Sequence, residues 1–210
     1  GEVVRKALSN LGIIEKEGRA NIVTAADLAS EKAIIEMIHK NFPHDSILSE
    51  ETVSDIRNPS TVDALWVIDP LDGTNNFRYQ RNYSAVSIGY GEKSVIQLGA
   101  VYDPFRDELF YAERGKGSSL NGKRITTGNL KDLVIATVAT DNSYHPEGTR
   151  RNLELLLKIS PTPWVLMRGC ATLAMCDVAA GRADLYFHTF LKPWDNAAAF
   201  LIAQEAGATV

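Results

Sequence analysis

The sequence predicts a mixed α/β protein of the α+β type, built in layers, with an antiparallel-rich sheet in its first part and an alternating α/β unit in its second. Three observations support this. "ALWVID", residues 64–69, is a continuous apolar run that suits a strand buried on both faces. From Ser84 come "SAVSIGY", "VIQLGAVYD" and "ELFYAE", short segments separated by Gly-Glu-Lys, by Pro104 and by Gly115 and Gly117, which is the punctuation of an antiparallel meander. From Val134 onward, strand-like and helix-like patterns alternate.

In chain order, a helical pattern starts at Gly1 and fades near Leu11, and "EGRANIVT" reads as a polar turn with some strand character. Thr24 to Asp27 heads the next helix as a capping-box variant, and Leu28, Glu31, Ile34, Ile35 and Ile38 repeat at helical spacing until Pro43 ends it. "SILSEE" is a short strand that ends in acid, Thr52 to Ser60 reads as a flexible connection, and "ALWVID" follows. Beyond the meander, Asn121-Gly122 in "LNGKR" marks a tight hairpin turn. The second part reads strand "VIATVAT", helix "EGTRRNLELLLKI", strand "WVLMR", helix "CATLAMCDVAAG", strand "ADLYFH" and helix "WDNAAAFLIAQEA", with Gly207 as its stop. No linker rich in Pro, Gly or Ser divides the chain. A single domain over 1–210 is expected, with approximate halves 1–133 and 134–210 that share an interface. "GEVVRKAL" begins in mid-pattern and "EAGATV" stops as an extended segment begins, so the chain reads as a segment of something longer.

The bulk numbers exclude some functions. Lys and Arg total 22 against 26 Asp and Glu, a net charge of -4, and no basic run is present, so nucleic acid is not an expected partner. No apolar run approaches the roughly 20 residues of a membrane helix, so no membrane is expected and the cytoplasm is the default compartment. Cys170 and Cys176, six apart in one apolar segment, make no CxxC pair and read as buried free thiols.

Acids collect at the ends of apolar elements: Glu50-Glu51 after "ILS", Asp69 after "WVI", Asp72 three residues on, and Asp195 at the head of the last helix. Each alone has a plain structural explanation, as turn, cap or solvated loop edge. Together they stand where open α/β sheets place ligands, at the carboxyl ends of strands. Convergent carboxylates repel one another unless cations pair with them, and an all-oxygen set selects a hard cation, Mg²⁺ above zinc. The Asp-x-x-Asp spacing lets Asp69 and Asp72 address neighbouring ions with the Leu71 carbonyl between them. Gly73 and Thr74 offer backbone amides that suit a phosphate.

"WVIDPLDGTNNF", "ILSEE" and "PWDNAAAFLIAQEAG" resemble the three signature segments of the inositol monophosphatase family, within the lithium-sensitive, magnesium-dependent phosphatases. The resemblance covers essentially the whole chain, in the family's order. It implies an αβαβα sandwich, usually a homodimer, whose first helix begins before Gly1 and in which a further strand and helix follow "EAGATV". It implies two or three Mg²⁺ ions: Glu50, Asp69 and the Leu71 carbonyl on the first, Asp69, Asp72 and Asp195 on the second, and a weaker third beside Glu50 with Glu51 as neighbour. It gives Thr74, with Asp27 behind it, the task of orienting the attacking water, with Glu50 also catalytic, and gives phosphate to Gly73 and Thr74. The implied reaction is hydrolysis of inositol monophosphate, or another small phosphorylated polyol or sugar, by a metal-activated water.

Departures from the family pattern fall mainly on the alcohol side. His188 stands where inositol-specific members often have a glutamate, Gly169-Cys170 replaces a common Gly-Ser, and Asn196 follows Asp195. His188, Cys170 and Lys192 are the expected substrate-side residues. Ser49 replaces the glycine that commonly precedes the paired glutamates, a change expected to touch only the backbone. A fructose bisphosphatase, a histidinol phosphatase, a 3'-phosphoadenosine 5'-phosphate phosphatase and a non-catalytic scaffold remain as alternatives.

Overall fold

The computed structural model of the chain describes residues 1–7, 14–15, 22–52, 62–159 and 164–210. The fading of the first helix near Leu11 and the connection over 53–60 lie outside these residues. In order, the elements are α1 (Glu2–Ala7), β1 (Ile14–Glu15), β2 (Ile22–Val23), α2 (Ala25–Asn41), β3 (Ser46–Ser49), β4 (Ala64–Asp72), α3 (Thr74–Arg78), β5 (Ala85–Glu92), β6 (Val95–Asp103), β7 (Glu108–Glu113), β8 (Gly117–Leu120), β9 (Lys123–Ile125), β10 (Thr137–Thr140), α4 (Pro146–Ile159), β11 (Trp164–Leu166), α5 (Ala171–Ala179), β12 (Leu185–Phe187) and α6 (Pro193–Glu205).

Strands β3 to β9 form the larger sheet in chain order. Only its edge pair, β3 with β4, is parallel, and the rest is the expected antiparallel meander. The smaller sheet, ordered β11-β10-β12, is parallel throughout, as strands joined by crossover helices must be. Helices α1 and α2 cover one face of the large sheet, around Val4, Ala26, Leu71, Phe77 and Val86. Helices α5 and α6 fill the space between the sheets, where Leu173, Cys176, Leu201 and Ile202 meet Val101 and Phe110. Each such fully buried large side chain contributes roughly 1.5–3 kcal/mol. Helix α4 is tied to the small-sheet layer by Asn152, which donates to the Asp141 carbonyl at 2.8 Å and accepts from the Thr189 amide at 3.0 Å. The result is the αβαβα layering.

Local chemistry explains the ends. Thr24 caps α2 by accepting from the Ala26 amide at 3.2 Å, while Asp27 accepts from the Thr24 amide at 2.9 Å. Asn121 and Gly122 both take positive φ, 49° and 75°, as a two-residue hairpin turn requires. The expected strand over 134–140 is shorter than its apolar pattern. Asp132 accepts from the Val134 amide at 2.9 Å and caps a 3-10 turn over Leu133–Ile135, so pairing begins only at Thr137.

Two features position the site. The first is in β4, which the sequence reading ended at Asp69; it keeps pairing with β5 as far as Asp72, with one extra residue between Asp69 opposite Ser87 and Asp72 opposite Ala85. Side chains three apart on a regular strand point to opposite faces, and one bulged residue returns them to the same side. Pro70, which has no ladder N–H to give, sits inside that bulge. The second is a pair of facing glycines, Gly89 on β5 and Gly99 on β6. A Cβ on Gly99 would stand 2.6 Å from the Ala198 carbonyl, and one on Gly89 3.2 Å from the Ala197 Cβ. The paired glycines let α6 rest directly on the sheet, beside Val67 and two residues from Asp69.

Candidate active site

Four acids from three places in the chain converge at the carboxyl ends of β3 and β4. The Glu50 amide donates to the Ile68 carbonyl at 3.2 Å, extending the β3–β4 ladder and bringing Glu50 beside Asp69. Asp69 is fully buried, and burial first, then the charges of Glu50, Asp72 and Asp195, hold its carboxyl well above the usual range. Burial and then the charge of Asp72 push Asp195 up to about 7, opposed by the Lys192 amide that donates to it at 2.6 Å. The side chains face one another and are not closed on a point. Among the described residues no three His, Cys, Asp or Glu side chains meet at ion-gripping distance. The donor chemistry nevertheless fits a hard divalent cation: a buried carboxylate, Asp69, with three partly buried ones and a backbone carbonyl around it, all oxygen donors, and the like charges of Glu50, Asp72 and Asp195 acting on Asp69.

Asp72 is held from 100 residues away. The Thr172 amide and hydroxyl each donate to its Oδ2 at 2.7 Å, and the Cys170 thiol lies 3.2 Å from the same oxygen. Cys170, expected at the alcohol side, is instead buried beneath Asp72 at 1% exposure. As N-cap of α5 it turns its side chain into the core, against the position a Gly73 Cβ would occupy at 3.1 Å. Both cysteines are free and buried.

Gly73 caps α3 with φ +82°, and its own missing Cβ would stand 3.0 Å from the Tyr83 carbonyl, so glycine is required there. Thr74 follows, with its hydroxyl 3.0 Å from Asp27 Oδ1 and 3.1 Å from the Leu71 carbonyl. It has one proton for the two acceptors. Asp27, buried completely, also accepts from the Thr24 amide and hydroxyl, and those bonds oppose the burial that raises its pKa. Leu71 is fully buried, and its carbonyl oxygen stands beside the Thr74 hydroxyl.

On the alcohol side, His188 is half-buried and tied to backbone: its Nδ1 accepts from the Phe190 amide at 3.1 Å, and burial lowers its pKa against a backbone bond with Asn142. Lys192 is exposed and stands at the N-cap of α6. Glu51 is half-buried, next to Glu50 on the same loop. The Tyr186 hydroxyl is buried without a hydrogen-bond partner among the described residues, within reach of the charges of Asp141, Asp72 and Asp195.

Sequence reasoning missed Thr172, Glu31 and Asp141. Only the last carried a signal, since it is one more acid at a strand's carboxyl end. Asp141 is buried and accepts from the Gly169 amide at 2.6 Å, anchoring the turn that leads to Cys170 and Thr172. Asn76 holds the same turn from α3, donating to the Gly169 carbonyl at 3.1 Å. Ser49, expected to act through its backbone alone, also places its hydroxyl on Glu31.

Burial, with the charge of Asp72 adding and the Gly169 bond opposing, pushes Asp141 up to about 6 from an ordinary 3.8. The folded state then keeps a proton that the unfolded chain has already lost, so this group costs stability as pH rises from about 4 through about 6. Asp141→Asn is expected to gain on the wild type across that window, by on the order of 1 to 3 kcal/mol, and to hold a constant difference above it. Thermal melts of both proteins in EDTA across the window check this; a difference flat in pH would contradict it.

This layered fold, with acids at the strand ends beside a Gly-Thr turn, is that of a phosphatase class. The chain belongs to the inositol monophosphatase family, whose description matches residues 1–210. It is 37% identical over 214 residues to inositol monophosphatase 1 of Bos taurus, covering 99% of this chain and 77% of that protein. It is also 37% identical over 217 residues to the Nus factor SuhB of Vibrio cholerae, covering 100% of this chain and 79% of that one. Among solved structures, the extragenic suppressor protein suhB from Bartonella henselae superposes with TM-score 0.88 at 34% identity, over 98% of this chain and 79% of that one. An IMPase/NADP phosphatase complexed with Mg²⁺ and phosphate superposes with TM-score 0.85 at 25% identity, over 98% and 76%. No helix among the described residues is long and apolar enough to cross a membrane.

Proposed function

We propose that the chain hydrolyses a small phosphate monoester with two magnesium ions held by Glu50, Asp69, the Leu71 carbonyl, Asp72 and Asp195, with a weaker third site beside Glu50 and Glu51. The observation that supports this most is the bulge in β4, which turns Asp69 and Asp72 to one side, facing Glu50 and Asp195. Bound there, the ions would offset the phosphate's charge and supply Lewis acidity toward the ester and the attacking water.

The remaining work falls to the chain. Asp27, fixed by Thr24, accepts the hydrogen bond of the Thr74 hydroxyl, which leaves the lone pairs of Thr74 Oγ1 to accept from a water and aim it, and leaves the Leu71 carbonyl free. The Gly73 and Thr74 amides donate to the phosphate, and positioning of this kind carries much of phosphoryl transfer. Thr172 and Lys192 keep Asp72 and Asp195 in place by backbone donation.

The leading substrate is an inositol monophosphate, as in the relatives named for it. The pinned ring of His188 does not reproduce a glutamate's acceptance of polyol hydroxyls, which keeps other sugar and nucleotide phosphates in view. A homodimer, lithium inhibition and a cytoplasmic site of action follow from the family likeness as further parts of this reading. The test is phosphate release from inositol 1-phosphate and a panel of small phosphate esters, with Mg²⁺ and with EDTA. Turnover in Mg²⁺ alone is expected. If no ester is turned over at any Mg²⁺ level, the enzymatic reading fails, and the equally similar relatives named Nus factor favour a partner-binding role.

A further inference from the structure

Helix α2 presents two buried carboxylates one turn apart on the same face, Asp27 and Glu31, at 0% and 6% exposure. Asp27 reaches the turn after β4 through Thr74. Glu31 reaches the loop after β3: its Oε1 accepts from the Ser49 hydroxyl and, at 3.0 Å, from the Thr52 amide. These two donors bracket Glu50 and Glu51. One oxygen therefore grips both ends of the acidic dipeptide, and one helix face sets the two acid-bearing loops in register with each other. A buried carboxylate is tolerated when donors satisfy it, and both donors to Glu31 come from the loop that carries Glu50 and Glu51.

We propose that Glu31 is a positioning residue that fixes where the Glu50 and Glu51 carboxylates stand relative to Asp69 and Asp72, and that the Ser49 hydroxyl is the near half of that clamp. The inference rests on the two-metal reading above. Glu31 touches neither ion nor substrate; it acts through the loop. Groups that orient ligands from behind in this way typically change metal affinity 10–100-fold when removed.

The test compares Glu31→Ala, Glu31→Gln and Ser49→Ala with the wild type in three measurements: the Mg²⁺ dependence of phosphate release, Mg²⁺ binding by isothermal titration, and exchange of the Thr52 amide proton. For Glu31→Ala, the Mg²⁺ needed for half-maximal rate is expected to rise about 10-fold or more. Turnover at saturating Mg²⁺ should stay within about threefold, binding should weaken in step, and Thr52 exchange should accelerate. Glu31→Gln should lie near the wild type, because an amide oxygen can accept from both donors. Ser49→Ala, which leaves the Thr52 bond, should fall between. Wild-type Mg²⁺ dependence, binding and exchange in a folded Glu31→Ala would overturn the proposal. Equal damage in the Ala and Gln variants would do so too, since charge and not placement would then be at work. If the wild type neither binds Mg²⁺ nor releases phosphate, the two-metal reading falls, and the Thr52 exchange decides alone whether Glu31 holds the segment.

Discussion

Asp69→Asn is expected to lower Mg²⁺-dependent phosphate release by at least about 10³-fold, near 4 kcal/mol of transition-state stabilisation, while raising the melting temperature of the protein in EDTA by several degrees. The two effects share a cause. Asp69 is buried among Glu50, Asp72 and Asp195, and its charge is opposed by burial and by all three neighbours. The amide keeps the side-chain oxygen that accepts from the Leu71 amide at 3.0 Å, so the turn survives. What it loses is the charge, which destabilises the metal-free fold and, on the two-metal reading, would attract Mg²⁺. Mg²⁺ should accordingly raise the wild-type melting temperature and leave the variant's nearly unchanged. Phosphate-release rates and melts with and without Mg²⁺ check this. A variant that is inactive and also less stable in EDTA would assign Asp69 a structural role instead.

Thr74→Ala is expected to cost about 10²-fold or more in turnover and to leave Mg²⁺ affinity within about threefold of the wild type. Thr74 is paired with Asp27 and holds no formal charge, so its removal misdirects a water without weakening the hold on a cation. Thr74→Ser, which keeps the hydroxyl, should recover most of the rate. Single-turnover kinetics beside isothermal titration separate the two readouts. Loss of Mg²⁺ binding in the Ala variant would place Thr74 among the groups that hold the ions.

The sequence exposed what depends on neighbours in the chain. The capping box at Thr24, the turn at Asn121-Gly122 and the apolar run of β4 are local, and each forms as its residues require. The acids were legible for the same reason, since each ends an apolar segment. Hidden from it were relations across the fold. Nothing in "RGCATLAM" says that Thr172 will meet Asp72, and nothing around Glu31 says that it will meet Ser49, 18 residues on. The bulge was invisible because Asp-Pro-Leu-Asp-Gly reads equally as an ordinary turn; only pairing with Ser87 and Ala85 makes it a strand that changes face. Cys170 was misplaced because an N-cap side chain can turn to solvent or core, and packing against Gly73 decides which.

The facing glycines of β5 and β6 have a consequence for how substitutions in this protein should be read. They carry no functional group and would rank among the least chemical positions in the chain. Yet α6 delivers Asp195 at a height set by the absence of two side chains, since a methyl on Gly99 has no room beneath the Ala198 carbonyl. On the two-metal reading, a variant there would keep every acid in its sequence and yet bind Mg²⁺ more weakly, because Asp195 would be displaced. In this fold, an emptiness on the sheet sets where the Asp195 helix lies, and the lack of a functional group is a poor guide to which residues the site needs.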